Sequence, residues 1–120
     1  MRKIELLKYR GNASSLFTGR PQGEQAREEL ELDKIDKDKT VTVQFIIPSG
    51  TSSFNPSFYL GLLFNSIKTL GENFEKKYTF TIEDKNEDVQ KVLQANLNDG
   101  KRNALNTISG KTGLGRFLTL

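Results

Sequence analysis

The residues with most scope for chemistry form a run of hydroxyls, Ser49, Thr51, Ser52, Ser53 and Ser57, between a β-prone segment and an apolar segment of helical length. At a helix entry, free backbone N–H groups and the helix dipole stabilise negative charge, so a phosphate carried by one of these hydroxyls would be held there. The same residue types are also common caps and loop formers. A second anion-binding arrangement is Thr18-Gly19-Arg20-Pro21, which reads as a helix entry, with Arg27 one to two turns further on. Free N–H groups together with Arg20 and Arg27 have the chemistry to hold a phosphate. Two other patterns fail on spacing. Gly110-Lys111-Thr112 has the end of a phosphate-binding loop, but Leu105 stands where the first glycine is required. Asp33, Asp36 and Asp38 lack the glycine and terminal glutamate that a calcium loop needs in register.

The chain of 120 residues contains neither cysteine nor histidine. Disulfides, zinc–thiolate sites and thiol catalysis are therefore excluded, as are imidazole bases and Ser–His–Asp triads. Catalysis would have to rest on carboxylates, Lys or Arg, and no compact cluster of these is visible. No catalytic residue, metal site or cofactor is expected.

Hydrophobic residues make up 35% and charged residues 28%, as in a soluble single domain. The net charge is +3, from 18 basic and 15 acidic residues, a small excess for a nucleic-acid binder. Lys101, Arg102, Lys111 and Arg116 have no acidic neighbour from 101 to 120 and read as a basic, solvated tail, so nucleic-acid binding is disfavoured. No apolar run approaches the ~18 residues of a membrane span. The start, Met1-Arg2-Lys3-Ile4-Glu5, turns acidic too early for a signal peptide, and a cytoplasmic location is expected.

The elements that must position the hydroxyls follow from periodicity. Ile4 to Tyr9 reads as a strand, Gly11-Asn12 as a turn, and Leu16-Phe17 as the second strand of a hairpin. A helix is expected from Pro21 to Leu32, with Gly23, Ala26 and Leu30 inward and a charged connection from Asp33 to Lys39. Thr40 to Ile47 is the strongest strand and reads as a central one, covered on both faces and stopped by Pro48. Ser57 to Leu70 is a helix with more apolar residues than one stripe needs, so it is either deeply buried or meets another chain. Tyr78 to Ile82 is a half-buried strand. Glu87 to Asn98 or further is a helix with the stripe Val89, Val92, Leu93 and Leu97, broken or ended by Asp99-Gly100. The order implies a single small α/β domain over residues 1–105, with a mixed, mainly parallel four-stranded sheet and about three helices. Residues 106–120 form a Gly-rich basic tail.

Arg20-x-x-Gly23-x-x-x-Arg27, the strand Val41–Ile47, Ser52-Ser53-Phe54, Ser57-Phe58-Tyr59-Leu60-Gly61-Leu62-Leu63-Phe64, Leu70-Gly71 and Lys77-Tyr78-Thr79-Phe80 occur in order. In this the chain resembles the STAS-like family of bacterial domains, similar in outline to anti-sigma factor antagonists, over roughly residues 17 to 105. The resemblance implies a regulatory protein-binding module in which a serine at the loop-to-helix junction is phosphorylated by a partner kinase. Ser53 is the closer positional match, with Ser52 beside it. It also implies a partner face built from the 49–57 loop and the following helix, for which Ser49, Thr51, Phe54, Asn55 and Tyr59 are the candidates. A histidine-kinase-type ATPase is the implied partner. Thr51 and Phe54 stand where the antagonist motif has an acidic residue and a glycine, and Gln44 where STAS-like relatives often carry Asp. The alternative is a structural subunit of a homo-oligomer or of a larger, defence-type complex. An enzyme acting on a phosphorylated substrate through Arg20 and Arg27 ranks third.

Overall fold

The computed structural model describes residues 1–10 and 14–110. Within them the chain runs β1 (Arg2–Glu5), β2 (Leu16–Phe17), α1 (Arg20–Glu29), α2 (Leu32–Lys37), β3 (Val43–Ile47), β4 (Ser53–Phe54), α3 (Pro56–Leu70), α4 (Phe74–Lys77), β5 (Tyr78–Ile82) and α5 (Glu87–Ile108). Short 3-10 turns cover Leu7–Tyr9 and Gly71–Asn73. The result is one α/β domain. No helix among the described residues is long and apolar enough to cross a membrane.

The strands do not form the expected mixed four-stranded sheet. β1, β3 and β5 make a three-stranded, wholly parallel sheet in that order. Leu16–Phe17 is not half of a hairpin: β2 pairs in parallel with β4 in a separate two-stranded sheet. The Ser52-Ser53-Phe54 stretch is therefore partly strand, and its first neighbour is the N-terminal segment. The expected turn at Gly11-Asn12 lies outside the described residues.

Strand order advances in one direction, from β1 through β3 to β5. Right-handed crossovers then carry the intervening helices over the same face. Burial follows this geometry. Ile4, Val43, Phe45, Ile47 and Tyr78 are buried on the helix side, while Lys3, Glu5, Gln44, Ile46, Thr79 and Thr81 are exposed or half-buried on the other. β3 was expected to be covered on both faces; instead its burial alternates, because the described helices form one layer, on one face of the sheet.

That layer is ordered α1–α3–α5, with α3 packed between the other two. α3 begins at Pro56, and the side chain of Asn55 caps it by accepting from the Ser57 N–H at 2.7 Å. Its apolar surplus is explained by this position: Phe58, Tyr59, Leu62, Leu63 and Ile67 are all buried inside the domain.

Two glycines fix how α1 meets α3. A Cβ on Gly23 would lie 2.2 Å from the Phe58 carbonyl oxygen, and one on Gly61 would lie 2.1 Å from the Arg20 carbonyl oxygen. The helices touch backbone to backbone, which only residues without a side chain allow. A third glycine does similar work in α5. A Cβ on Gly100 would lie 2.5 Å from the Tyr59 ring. Asp99-Gly100 was expected to break or end this helix; the glycine instead leaves room for Tyr59, and α5 runs through it to Ile108. Position 105 lies inside α5, and residues 111–120 of the expected tail lie outside the described residues. The α5 stripe is Leu93, Leu97 and Ala104, with Val92 exposed.

The first helix is also shorter than expected. It ends at Glu29, Glu31 adopts a left-handed conformation (φ 55), and the supposed charged connection forms α2. A left-handed non-glycine residue costs about 1–2 kcal/mol. Burial of Leu32 and Ile35 offsets it, because the redirected chain places both in the core.

In an exposed helix interior, Gly→Ala stabilises by about 1 kcal/mol. For Gly23→Ala and Gly61→Ala the sign reverses: each is expected to destabilise by about 2 kcal/mol or more, since the helices must separate. Urea unfolding measures this, with the exposed Gln25→Ala as a control near zero.

Candidate functional site

The hydroxyl-rich turn follows the C-terminal end of β3. Ser49 and Gly50 form its exposed tip, with Gly50 at φ +86. Thr51 then turns inward and is buried; its hydroxyl accepts from Arg10 Nη1 at 2.9 Å. Ser52 is exposed. Its N–H donates to the Ser15 carbonyl at 2.8 Å, and its hydroxyl shares a 2.7 Å hydrogen bond with the Ser15 hydroxyl. Ser53 is half-buried in β4, opposite Leu16. The Phe54 N–H donates to the Asn96 side-chain oxygen at 2.8 Å, and the Asn55 N–H to the Phe17 carbonyl at 2.9 Å. The turn is therefore latched to β2, to α5 and to Arg10, so it is held in one conformation by groups from three parts of the chain.

This placement sorts the residues that the sequence nominates. Ser49 and Ser52 are exposed, and Ser53 and Asn55 are half-buried. Thr51, Phe54 and Tyr59, expected on a partner face, are buried instead. Phe54 sits in an aromatic cluster with ring centroids 5.0 Å from Phe17, 5.2 Å from Phe58 and 5.7 Å from Phe80. Tyr59 stacks on Phe80 beside Gly100, and burial pushes its hydroxyl well above the ordinary value. The sequence showed apolar and aromatic residues here; which ones face inward depends on the β2–β4 pairing, a contact between distant segments.

The two arginines do not converge on a shared anion site. Arg20 lies over the Phe64 ring, 5.4 Å from its centroid. Arg27 points into the helix layer and is only 7% exposed. Its Nη1 donates to the Leu62 carbonyl at 3.0 Å and to the Ser66 hydroxyl at 2.8 Å. Its Nη2 donates to Asp33 at 2.7 Å and Asp36 at 2.8 Å, and its Nε to Asp33 at 3.2 Å. Each guanidinium nitrogen is thus engaged with protein. Burial opposes the charge on Arg27, but the hydrogen bonds and attraction of Asp36 and Asp33 outweigh it, holding its pKa above the ordinary value.

Asp36 is the centre of this network. It accepts from Arg27, from the Ser66 hydroxyl at 2.8 and 2.9 Å, and from the Tyr78 hydroxyl at 2.5 Å. One carboxylate thereby ties α1, α2, α3 and the start of β5 together. The third aspartate of the group, Asp38, accepts instead from the N–H and hydroxyl of Thr40. Ser66 was the signal available in the sequence, a lone hydroxyl in phase with Leu62 and Leu63 on an otherwise apolar helix face. Gln44, where STAS-like relatives often carry Asp, donates to the Thr81 hydroxyl on the half-buried face of the sheet. Of the phosphate-loop pattern, Lys111 and Thr112 lie outside the described residues.

Comparison with protein-family models, with curated proteins and with solved structures finds no match to this chain.

Removing the cation from a buried pair leaves an uncompensated charge. Arg27→Met is expected to destabilise by about 3–5 kcal/mol, measured by denaturant unfolding. The network also sets an alkaline limit. Burial first, and then the bond to Asp36, raise the Tyr78 pKa above its ordinary 10.0. Above that pH the unfolded chain loses this proton while the folded chain keeps it, so stability falls as pH rises. Tyr78→Phe is expected to reduce the slope of stability against pH above 10 by about one proton, about 1.4 kcal/mol per pH unit. Urea midpoints across that range for both proteins provide the test.

Proposed function

We propose that this chain is a non-catalytic regulatory module, STAS-like in kind, that binds a protein partner through the Ser49–Asn55 turn. The observation that carries the proposal is the presentation of Ser52: an exposed hydroxyl on a turn latched from several sides, just ahead of the α3 N-terminus. A rigid loop on a stable scaffold suits recognition, since little ordering entropy is lost on binding. Phosphorylation there would add roughly 1.5–2 negative charges. It would also compete with the Ser15–Ser52 bond, and Arg10, bonded to the neighbouring Thr51, is a cation in the same frame. Ser53 remains the closer positional match to the antagonists, but Ser52 is the more accessible. A histidine-kinase-type ATPase is the partner this reading nominates. Thr51, Phe54 and Tyr59 drop out as contacts and become supports.

A second reading, a homo-oligomeric structural subunit, draws on the half-buried sheet face. Wholly parallel sheets are almost always covered on both sides, and among the described residues Gln44, Ile46 and Thr81 are only half-buried and Thr79 is exposed on the face away from the core.

Affinity purification of the tagged chain from its native cell, with intact mass and phosphopeptide analysis, separates the two. The expected result is a stoichiometric ATPase partner, lost in Ser52→Asp or Ser53→Asp. Recovery of the chain alone, unmodified and in a defined oligomer, would overturn the regulatory reading in favour of the structural one.

A further inference from the structure

At the other end of β3 from the serine turn, where β3 and β5 begin, the surface opens into a cavity of about 600 Å³. Its walls come from the segment after α2, the end of α3, and α4. Val41 and Leu70 supply apolar surface, and Lys37, Lys39, Lys76 and Lys77 supply charge. The carboxylate in the lining, Asp36, is already matched by Arg27 at 2.8 Å. Lys37, Lys39 and Lys76 are exposed and form no ion pair among the described residues. The exposed charge around the cavity is thus mainly positive.

Lys77 is the decisive residue. It is 8% exposed, yet no carboxylate among the described residues pairs with it. Its Nζ donates to the Asp38 carbonyl at 2.5 Å and the Val41 carbonyl at 2.7 Å, both neutral acceptors. An ammonium carries three donors, so the third is not used by either carbonyl. The Asp38 carboxylate accepts from Thr40 and attracts Lys77 across space, without forming a direct ion pair with it. Burying a charge without a direct ion-pair partner is costly. A fold that does so beside a partly apolar cavity rimmed by three more lysines is matched to a ligand that brings a negative charge into direct contact.

We propose that this cavity binds a small amphipathic organic anion, its acidic head on Lys77 with Lys37, Lys39 and Lys76 around it, and its apolar body against Val41 and Leu70. The site is separate from the serine turn, and neither proposal depends on the other.

The test uses the full chain, isotopically labelled, titrated with hexanoate, hexyl phosphate and 1-hexanol and followed by amide chemical shifts. The expected result is saturable shifts around Val41, Leu70 and Lys76–Lys77 with at least one of the anions, weakened by salt, and none with the alcohol. The tighter anion identifies the head group as carboxylate or phosphate. Loss of a charge-assisted hydrogen bond should weaken binding by at least about tenfold in Lys77→Met. Should that variant not fold, the exposed pair Lys39→Ala/Lys76→Ala is expected to weaken binding while leaving the melting temperature near that of the unaltered chain. Absence of saturable shifts at the cavity with both anions into the millimolar range, equal binding of the alcohol, or affinity unchanged in the lysine variants would each overturn the proposal.

Discussion

The backbone contact between α1 and α3 at Gly23 and Gly61 is the constraint on which the rest of this domain depends. Where a side chain would normally separate two helices, carbonyl oxygens approach to about 2 Å of where a Cβ would be. That closeness puts Arg27, one turn beyond Gly23, within reach of the Leu62 carbonyl and the Ser66 hydroxyl on α3. Separated helices would leave the guanidinium short of both. The ion pair with Asp36 then recruits α2, and Asp36 recruits Tyr78 at the start of β5. Packing and electrostatics are therefore coupled. The glycines set the distance, and the buried charges require that the distance be kept.

The same layer explains the uneven use of the sheet. With strands added in one direction, α1, α3 and α5 crowd one face and leave the other to Lys3, Glu5, Gln44, Ile46, Thr79 and Thr81. β3 links the two ends of interest. Its C-terminal end leads into the latched serine turn, and its N-terminal end borders the lysine-lined cavity. Buried polar groups hold both ends in place. Thr51 is held by Arg10 at one, and Lys77 ties down the Asp38 and Val41 carbonyls at the other.

Local signals were legible where one segment carries its own pattern. The strand over Tyr78–Ile82 and, to within one residue, the helix over Ser57–Leu70 appear as read. The parallel βα alternation was legible for the same reason. What failed depended on partners distant in sequence. Leu16–Phe17 looked like a hairpin strand because a nearby turn signal preceded it, yet its partner is Ser53–Phe54. Gly100 looked like a stop because glycine weakens isolated helices, yet Tyr59 occupies the space it leaves. Asp33–Lys39 looked like a solvated connection because it is highly charged, yet Asp36 answers Arg27.

The sequence by itself determined the chemistry that is excluded, through the lack of cysteine and histidine, and the run of strands and helices, through periodicity and caps. It also marked Ser49–Ser57 as the stretch to examine, because hydroxyls between a strand and an apolar helix are visible in one dimension. Only the tertiary structure decided which of those hydroxyls face water, that Arg27 serves the core, and that Lys77 is buried beside a cavity. Exposure and pairing are properties of contacts between segments. A side chain's type sets what it could bond to, but its neighbours in space decide what it does bond to.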